Sequence, residues 1–252
     1  MRKLMIAAAV VFAGLQASAA QAAEGKALPA RDWSFSGIFG QFDRGAMQRG
    51  FQVYREVCSG CHSLRLIAFR NLEALGYDED EIKAIAAEYT VVDGPDDEGE
   101  MFERPGLPAD RIPSPFANTK AAAAANNGAV PPDLSLMIKA RDGGADYLHA
   151  LLTGYVDPPD DVELLDVQNY NLYFPGNLIA MAPPLLEDAV EYGDGTPATV
   201  EQMASDVANF LAWTAEPAME DRKRMGIKVI LFLLAFTGVL YAAKRKVWAD
   251  LH

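Results

Sequence analysis

The sequence predicts an all-α domain with long loops, followed by one membrane-spanning helix. Three observations carry this expectation. Residues 43–57 and 199–215 place apolar side chains at the 3.6-residue period of an amphipathic helix. Strong alternating patterns of the kind that mark half-buried strands are absent. Near its end the chain holds an apolar run long enough to cross a hydrocarbon core, which takes roughly 20 residues.

The elements follow in order. Arg2 and Lys3 precede the apolar run LMIAAAVVFAGL and then small residues with Ala20-x-Ala22, so residues 1–23 read as a secretory signal peptide and the exported chain is expected to begin near Ala23 or Glu24. Asp43 is a natural N-cap for the first amphipathic helix, whose apolar positions are Met47, Phe51, Tyr54 and Val57. That helix is expected to run directly into VCSGCH. Short helices are expected at 63–75, ended by Gly76, and at 79–88, 133–140 and 145–153, the last stopped by Gly154. Thr199 and Gln202 form a capping box for 199–215, whose stripe is Met203, Val207, Phe210, Leu211 and Trp213, and Pro217 ends it. The two long helices are expected to pack on each other.

Met225–Trp248 is apolar apart from Lys228 until Lys244, and Lys228 sits near enough to one end to reach the interface. Basic clusters flank both ends, Arg222–Arg224 and Lys244–Lys246, so charge bias alone gives no orientation. Export decides it. With residues 24–221 translocated as one domain and 222–246 as the anchor with its basic flanks, residues 247–252 stay cytoplasmic.

Residues 24–221 hold 13 Lys and Arg against 34 Asp and Glu, a net charge of −21 that exceeds the −13 of the whole chain. Nucleic acid is excluded as a partner, and a basic protein fits. The acidic residues cluster in DGPDDEGEMFER (93–104), DPPDDVELLD (157–166) and EDAVEYGDG (187–195).

Both cysteines lie in Cys58-x-x-Cys61-His62. An exported pair often forms a disulfide, and the spacing also suits a thioredoxin-like redox pair or half a zinc site. Zinc needs a second ligand cluster, which this sequence lacks. The thioredoxin motif needs a strand before it, whereas a helix is expected here. The adjacent histidine favours c-type haem attachment, in which the thiols bond to the macrocycle and the imidazole ligates the iron, leaving a sixth position to fill. Met47 and Met203 fall on apolar helix faces, Met101 lies in an acidic loop and Met219 borders the membrane, while His252 is at the cytoplasmic end. His149, in a short helix, reads better as a surface or hydrogen-bonded histidine. Met137 and Met181 remain. Met181 sits in a Gly/Pro-bounded loop stiffened by Pro183 and Pro184.

With these segments, ANNGAVPPDLSLMIKARDGGADYLHALLTGY, YFPGNLIAMAPPL, YGDGTPATVEQMASDVANFLAWTAEP and RKRMGIKVILF in view, the chain closely resembles the cytochrome c1 family from Trp33 to Trp248. Members are haem c subunits of the ubiquinol–cytochrome c reductase, or cytochrome bc1 complex. The resemblance implies a class I cytochrome c-like haem domain holding one covalently attached haem c. It implies thioether bonds at Cys58 and Cys61, His62 and Met181 as iron ligands, and Asn126, Ala129, Pro131 and Pro132 lining the haem. It further implies Arg141 on a haem propionate, which a guanidinium can pair bidentately, and Tyr147, Leu151, Phe174 and Ile179 as haem walls. Some bacterial members carry a disulfide in the loop before the methionine, and this chain has none. The rigidity of 154–178 is therefore expected to rest on packing and prolines.

The implied role is single-electron transfer from a Rieske iron–sulfur protein to a soluble or tethered basic cytochrome c. The haem domain would lie in the bacterial periplasm, anchored in the inner membrane beside a cytochrome b subunit that carries the quinol sites, in a dimeric complex. A stand-alone anchored electron shuttle is the alternative. A haem peroxidase would need an open sixth position.

Overall fold

The computed structural model describes residues 26–249. The signal-peptide reading of 1–23 and His252 fall outside the described residues. The helices are α1 (Arg44–Val53), α2 (Glu79–Ala87), α3 (Thr119–Ala125), α4 (Met137–Ala140), α5 (Gly144–Thr153), α6 (Val200–Ala215) and α7 (Met219–Val247). Two antiparallel strand pairs accompany them, β1 (Thr90–Asp93) with β2 (Phe102–Pro105) and β3 (Asn169–Tyr170) with β4 (Leu178–Ile179). The mainly helical architecture is the one expected.

The core forms where α1 crosses α6. Asp43 caps α1 by accepting from the Ala46 N–H, and Thr199 caps α6 by accepting from the Gln202 N–H. The two helices touch at Gly50, where a Cβ would lie 2.1 Å from the Asp206 carbonyl oxygen, so only glycine allows this approach. Around the contact Phe51 and Phe210 rings sit 5.5 Å apart, with Tyr54 and Trp213 stacked further along the same seam. The Arg49 guanidinium grips the buried Asp206 carboxylate with Nε at 2.9 Å and Nη2 at 3.1 Å and reaches Asp194 at 2.8 Å. That bidentate pairing offsets the cost of enclosing Asp206, which is 1% exposed.

Four local expectations need correction. The helix expected over 43–57 is α-helical only to Val53 and then widens into a π turn, Tyr54–Cys58, in which the Ser59 N–H reaches back to the Tyr54 carbonyl at 2.8 Å. The helix expected over 63–75 is a 3₁₀ helix from Phe69 to Leu75, because residues 63–66 give their backbone and side chains to Asp133 and Ser135. For the same reason 133–140 is helical only as α4. Helix α3, built on five alanines behind the N-cap Asn118, was not expected. Gly154 does end α5, but at φ −95°. What demands glycine there is space: a Cβ would sit 2.5 Å from the Tyr173 ring.

The first acidic run lies across the β1–β2 hairpin and its tip, exposed to solvent. Helix α7 starts six residues before the apolar run, so one unbroken helix carries both the end of the domain and that run. It is long and apolar enough to cross a membrane, with a mean hydropathy of 2.1 in its most apolar window.

Candidate functional site

The site is built from two sides. On one, the π turn delivers the C-x-x-C-H motif. Its wider coil is a common device where a helix must present a functional residue. Cys61 and His62 N–H groups both bond to the Cys58 carbonyl, at 3.1 and 2.9 Å. Both thiols are free, Cys58 packed against the main core and Cys61 exposed. Burial, with a smaller push from Cys61, raises the Cys58 thiol to about 12, so it stays protonated at neutral pH.

The His62 ring lies 2.8 Å from the Pro132 carbonyl through Nδ1. A carbonyl can only accept, so the proton is on Nδ1 and the Nε2 lone pair is left to donate to a metal. Burial lowers the imidazole's affinity for a second proton, opposed by the Pro132 bond and by Asp133, and the net shift is downward. A neutral, oriented imidazole is the form a metal needs.

The strap that holds this histidine was not found from sequence. Tyr54, fully enclosed, donates its hydroxyl to the His62 carbonyl at 3.2 Å. The Asp133 carboxylate accepts from the Ser63 hydroxyl at 2.7 Å, from the Arg65 N–H at 2.9 Å and from the Ser135 N–H at 3.0 Å. Burial pushes Asp133 upward, but these bonds outweigh it and hold the carboxyl below the usual carboxylate range. The Pro-Pro-Asp sequence is a recognisable signal: two stiff residues followed by a side chain suited to cap neighbouring N–H groups.

On the other side stands Met181. It packs against the main core and also against a satellite cluster of Tyr147, Leu151 and Ile179 with Phe174 and Tyr155 at its edge. Tyr147, Leu151, Phe174 and Ile179, expected to share one wall, are therefore brought together, with the thioether among them. The Tyr155 hydroxyl donates to the Met181 carbonyl at 3.1 Å and fixes the backbone at that residue.

The loop before Met181 is organised by Asn171, which is 0% exposed. Its amide donates to the Leu151 carbonyl at 2.8 Å, its side-chain oxygen accepts from the Tyr173 and Phe174 N–H groups, and its own N–H bonds to the Asn177 carbonyl. Asn177, at φ +62°, returns the favour by donating to the Asn171 and Leu172 carbonyls. Rigidity in 154–178 thus comes from an asparagine pair as well as from packing and prolines. Only the turn-forming character of NYNLYFPGN hinted at it.

The remaining expected residues are placed as follows. Asn126 caps α3, donating to the Ala122 carbonyl at 2.8 Å and accepting the Ala129 N–H. Ala129 and Pro131 are half-buried on the segment that leads to Pro132. Arg141 is exposed, close enough to Tyr147 to oppose the upward push that burial gives that hydroxyl, and its guanidinium also donates to the Ala140 carbonyl at 3.2 Å. Met137 is a buried member of the main core, whereas Met181 is half-buried. Met47 and Met203 are likewise core. His149 faces away from Tyr147 and Leu151. It is buried against Trp33, with Nε2 3.3 Å from Glu201, rather than on the surface.

Comparison with known proteins identifies what these residues resemble. The family model described as Cytochrome C1 family matches residues 33–251. Cytochrome c1 of Rhodospirillum rubrum is 50% identical over 99% of this chain and 97% of its own length. The Cytochrome b/c1 protein of Bradyrhizobium diazoefficiens is 49% identical over 98% of this chain, which spans 39% of that longer protein. The Cytochrome b-c1 complex catalytic subunit of Candida albicans mitochondria is 52% identical over 88% of this chain and 78% of its own length.

Proposed function

This chain belongs to the cytochrome c1 family, electron-transfer haem proteins of the bc1 complex, and on that premise we propose that it passes single electrons from a Rieske iron–sulfur protein to a basic cytochrome c. The donor set fits one haem c. His62 offers a neutral imidazole with Nε2 free to ligate, Met181 a thioether, and Cys58 and Cys61 two thiols that are not bonded to each other. The bound group supplies a one-electron iron couple, whose potential a methionine ligand raises.

The chain's own residues do the rest. The Pro132 carbonyl holds the His62 proton on Nδ1 and so keeps Nε2 a donor. Tyr155 holds the Met181 backbone and Asn171 fixes the loop before it on the Leu151 carbonyl, so the thioether would be kept in place beside a bound haem. Tyr147, Leu151, Ile179 and Phe174 exclude water from the thioether side. Asn126, Ala129, Pro131 and Pro132 would line a bound haem, and the exposed Arg141 guanidinium would pair one of its carboxylates.

The complex as a whole is the oxidoreductase, and no substrate bond is broken at this site. The longer relative named Cytochrome b/c1 supports a cytochrome b subunit as neighbour. Helix α7 serves as the anchor, with the haem domain in the periplasm, the C-terminus in the cytoplasm and the complex dimeric. The net charge of −21 over residues 24–221 suits a basic electron acceptor.

The observation that carries this reading is the His62–Pro132 hydrogen bond, which aligns a metal-ready imidazole directly after the thiol pair. Purification in mild detergent tests it. The chain should stain for haem on a denaturing gel and co-purify with b-type haem and quinol-dependent cytochrome c reduction. A haem-stained chain free of b-type haem would instead favour a stand-alone shuttle.

A further inference from the structure

The segment Trp33–Phe42 folds into a narrow loop whose base is in the core and whose tip is in solvent. Phe35 stacks on Trp33 at 5.6 Å and packs against Phe42 at 5.5 Å, so the feet are buried. The neck closes with the Gln41 N–H on the Ser34 carbonyl at 2.9 Å. At the tip Ile38 is 68% exposed and Phe39 82% exposed, a poor place for a phenylalanine in water.

Two clamps fix how this loop lies along α7. The Phe42 N–H donates to Glu220 at 2.8 Å, and Arg44 pairs with the same carboxylate at 2.9 Å. Three residues further along the helix, the Lys223 ammonium donates to the Phe35 carbonyl at 2.6 Å and to the Gly40 carbonyl at 3.1 Å. The loop is thus held at the root of α7, by residues that end two positions before the apolar run begins at Met225. The turn cannot readily collapse, because a Cβ at Gly40 would lie 2.0 Å from the Ser36 carbonyl oxygen and Gly37 sits at φ +71°.

We propose that this turn is an interfacial anchor, in which Ile38 and Phe39 enter the headgroup–acyl boundary of the membrane beside α7. Lipid is the occupant the surroundings favour. Beyond the clamps, the side of α7 that carries Glu220 and Lys223 continues as Ile230, Leu231 and Leu234, all exposed and apolar. Arg222 and Arg224, at the level of the clamp, suit anionic headgroups. Together with α7 the turn makes a two-point attachment, and the Lys223 clamp joins the two points rigidly. A single rod allows the domain to swing about its root, whereas two points fix the tilt of the domain, and with it the direction the haem site faces. The inference rests on α7 crossing the membrane.

The test uses the full-length, haem-loaded chain in nanodiscs of phosphatidylcholine and phosphatidylglycerol. A phosphatidylcholine with a diazirine near the head end of its acyl chain is activated, and adducts are mapped by mass spectrometry. Adducts are expected on residues 37–39 as well as on α7. In the double variant Ile38→Ser, Phe39→Asp the loop adducts should fall about tenfold, with α7 labelling and the visible spectrum unchanged. Labelling confined to α7 would overturn the proposal while leaving the anchor intact, and no labelling of either would overturn both. In native membranes, Phe39→benzoylphenylalanine should cross-link to lipid. A cross-linked polypeptide would overturn the lipid assignment and make the turn a subunit contact.

Discussion

Cys58 and Met181 both pack against the main core, yet the segments that carry them, Cys58–His62 and Gly154–Met181, are held in different ways. The first follows a core helix without a break, and its strap, Asp133 with Ser135, lies on one short segment bonded to residues 63–66. The second is a loop of more than 20 residues with only two short strands, and its order depends on Asn171, Asn177 and Tyr155 side chains that bond to backbone. A ligand at a helix end inherits the rigidity of the helix. A ligand at a loop end is only as rigid as the few hydrogen bonds that replace it. The distal side is therefore the softer one, and each variant below tests that asymmetry.

The largest effect is expected at the thioether itself. Met181→Lys replaces a soft ligand by a harder one and should lower the midpoint potential by on the order of a few hundred millivolts, within the roughly 0.8 V that axial ligands span. The methionine–iron charge-transfer band should vanish while haem staining through Cys58 and Cys61 persists. An unchanged band would place the ligand elsewhere.

Asn171→Ala comes next. It leaves the Leu151 carbonyl and the Tyr173 and Phe174 N–H groups without partners in a closed environment and should cost about 3 kcal/mol. Denaturant titration should show the charge-transfer band lost ahead of far-UV helicity in this variant, because the loop releases before the α1–α6 core. Coincident transitions would mean that the two sides melt as one unit.

Acid should act first on the other side. Asp133 has a carboxyl held below its ordinary value, so its contribution is fully present above the unfolded value near 4 and is lost as pH falls through the lowered folded one. Asp133→Asn should lower stability at pH 7 by about 1 to 2 kcal/mol, and the gap from wild type should close on acidification below about pH 4. A gap that is constant with pH would assign the loss to packing.

The smallest change is expected from Tyr155→Phe. One hydrogen bond to the Met181 carbonyl is removed with the ring retained, at about 1 kcal/mol. The charge-transfer band should broaden or weaken on warming at a lower temperature than in wild type, with the His62 side unaffected. Identical melting of the band would show that Pro183, Pro184 and packing suffice.

Much of this was legible before any coordinates. The caps Asp43 and Thr199, the apolar stripe of 199–215, the anchor and the C-x-x-C-H motif are local patterns, and local patterns survive translation into structure because the interactions behind them span three or four residues. The same logic fails where a side chain serves a distant backbone. Asp133 spends its carboxylate on residues 63–65, which is why 133–136 does not join α4 and why 63–68 does not form the start of a helix. The five alanines of α3 behind Asn118 are a local pattern of the same kind.

Met137 and Met181 show where the boundary lies. Both are single methionines in apolar surroundings, and sequence patterning left both open until resemblance to a family favoured one. Burial separates them physically: Met137 is closed into the main core, while Met181 lies between the two clusters with part of its surface free. Composition, periodicity and motif spacing by themselves determined that this chain is helical and acidic, with one run apolar enough to cross a membrane and one Cys-x-x-Cys-His motif, since each of those properties belongs to contiguous residues. Only the tertiary structure decided how the imidazole is oriented, what stiffens the methionine loop and that the Trp33–Phe42 loop is tied to the root of α7, because each depends on hydrogen bonds between residues far apart in the chain, and no local pattern records which donor will meet which carbonyl.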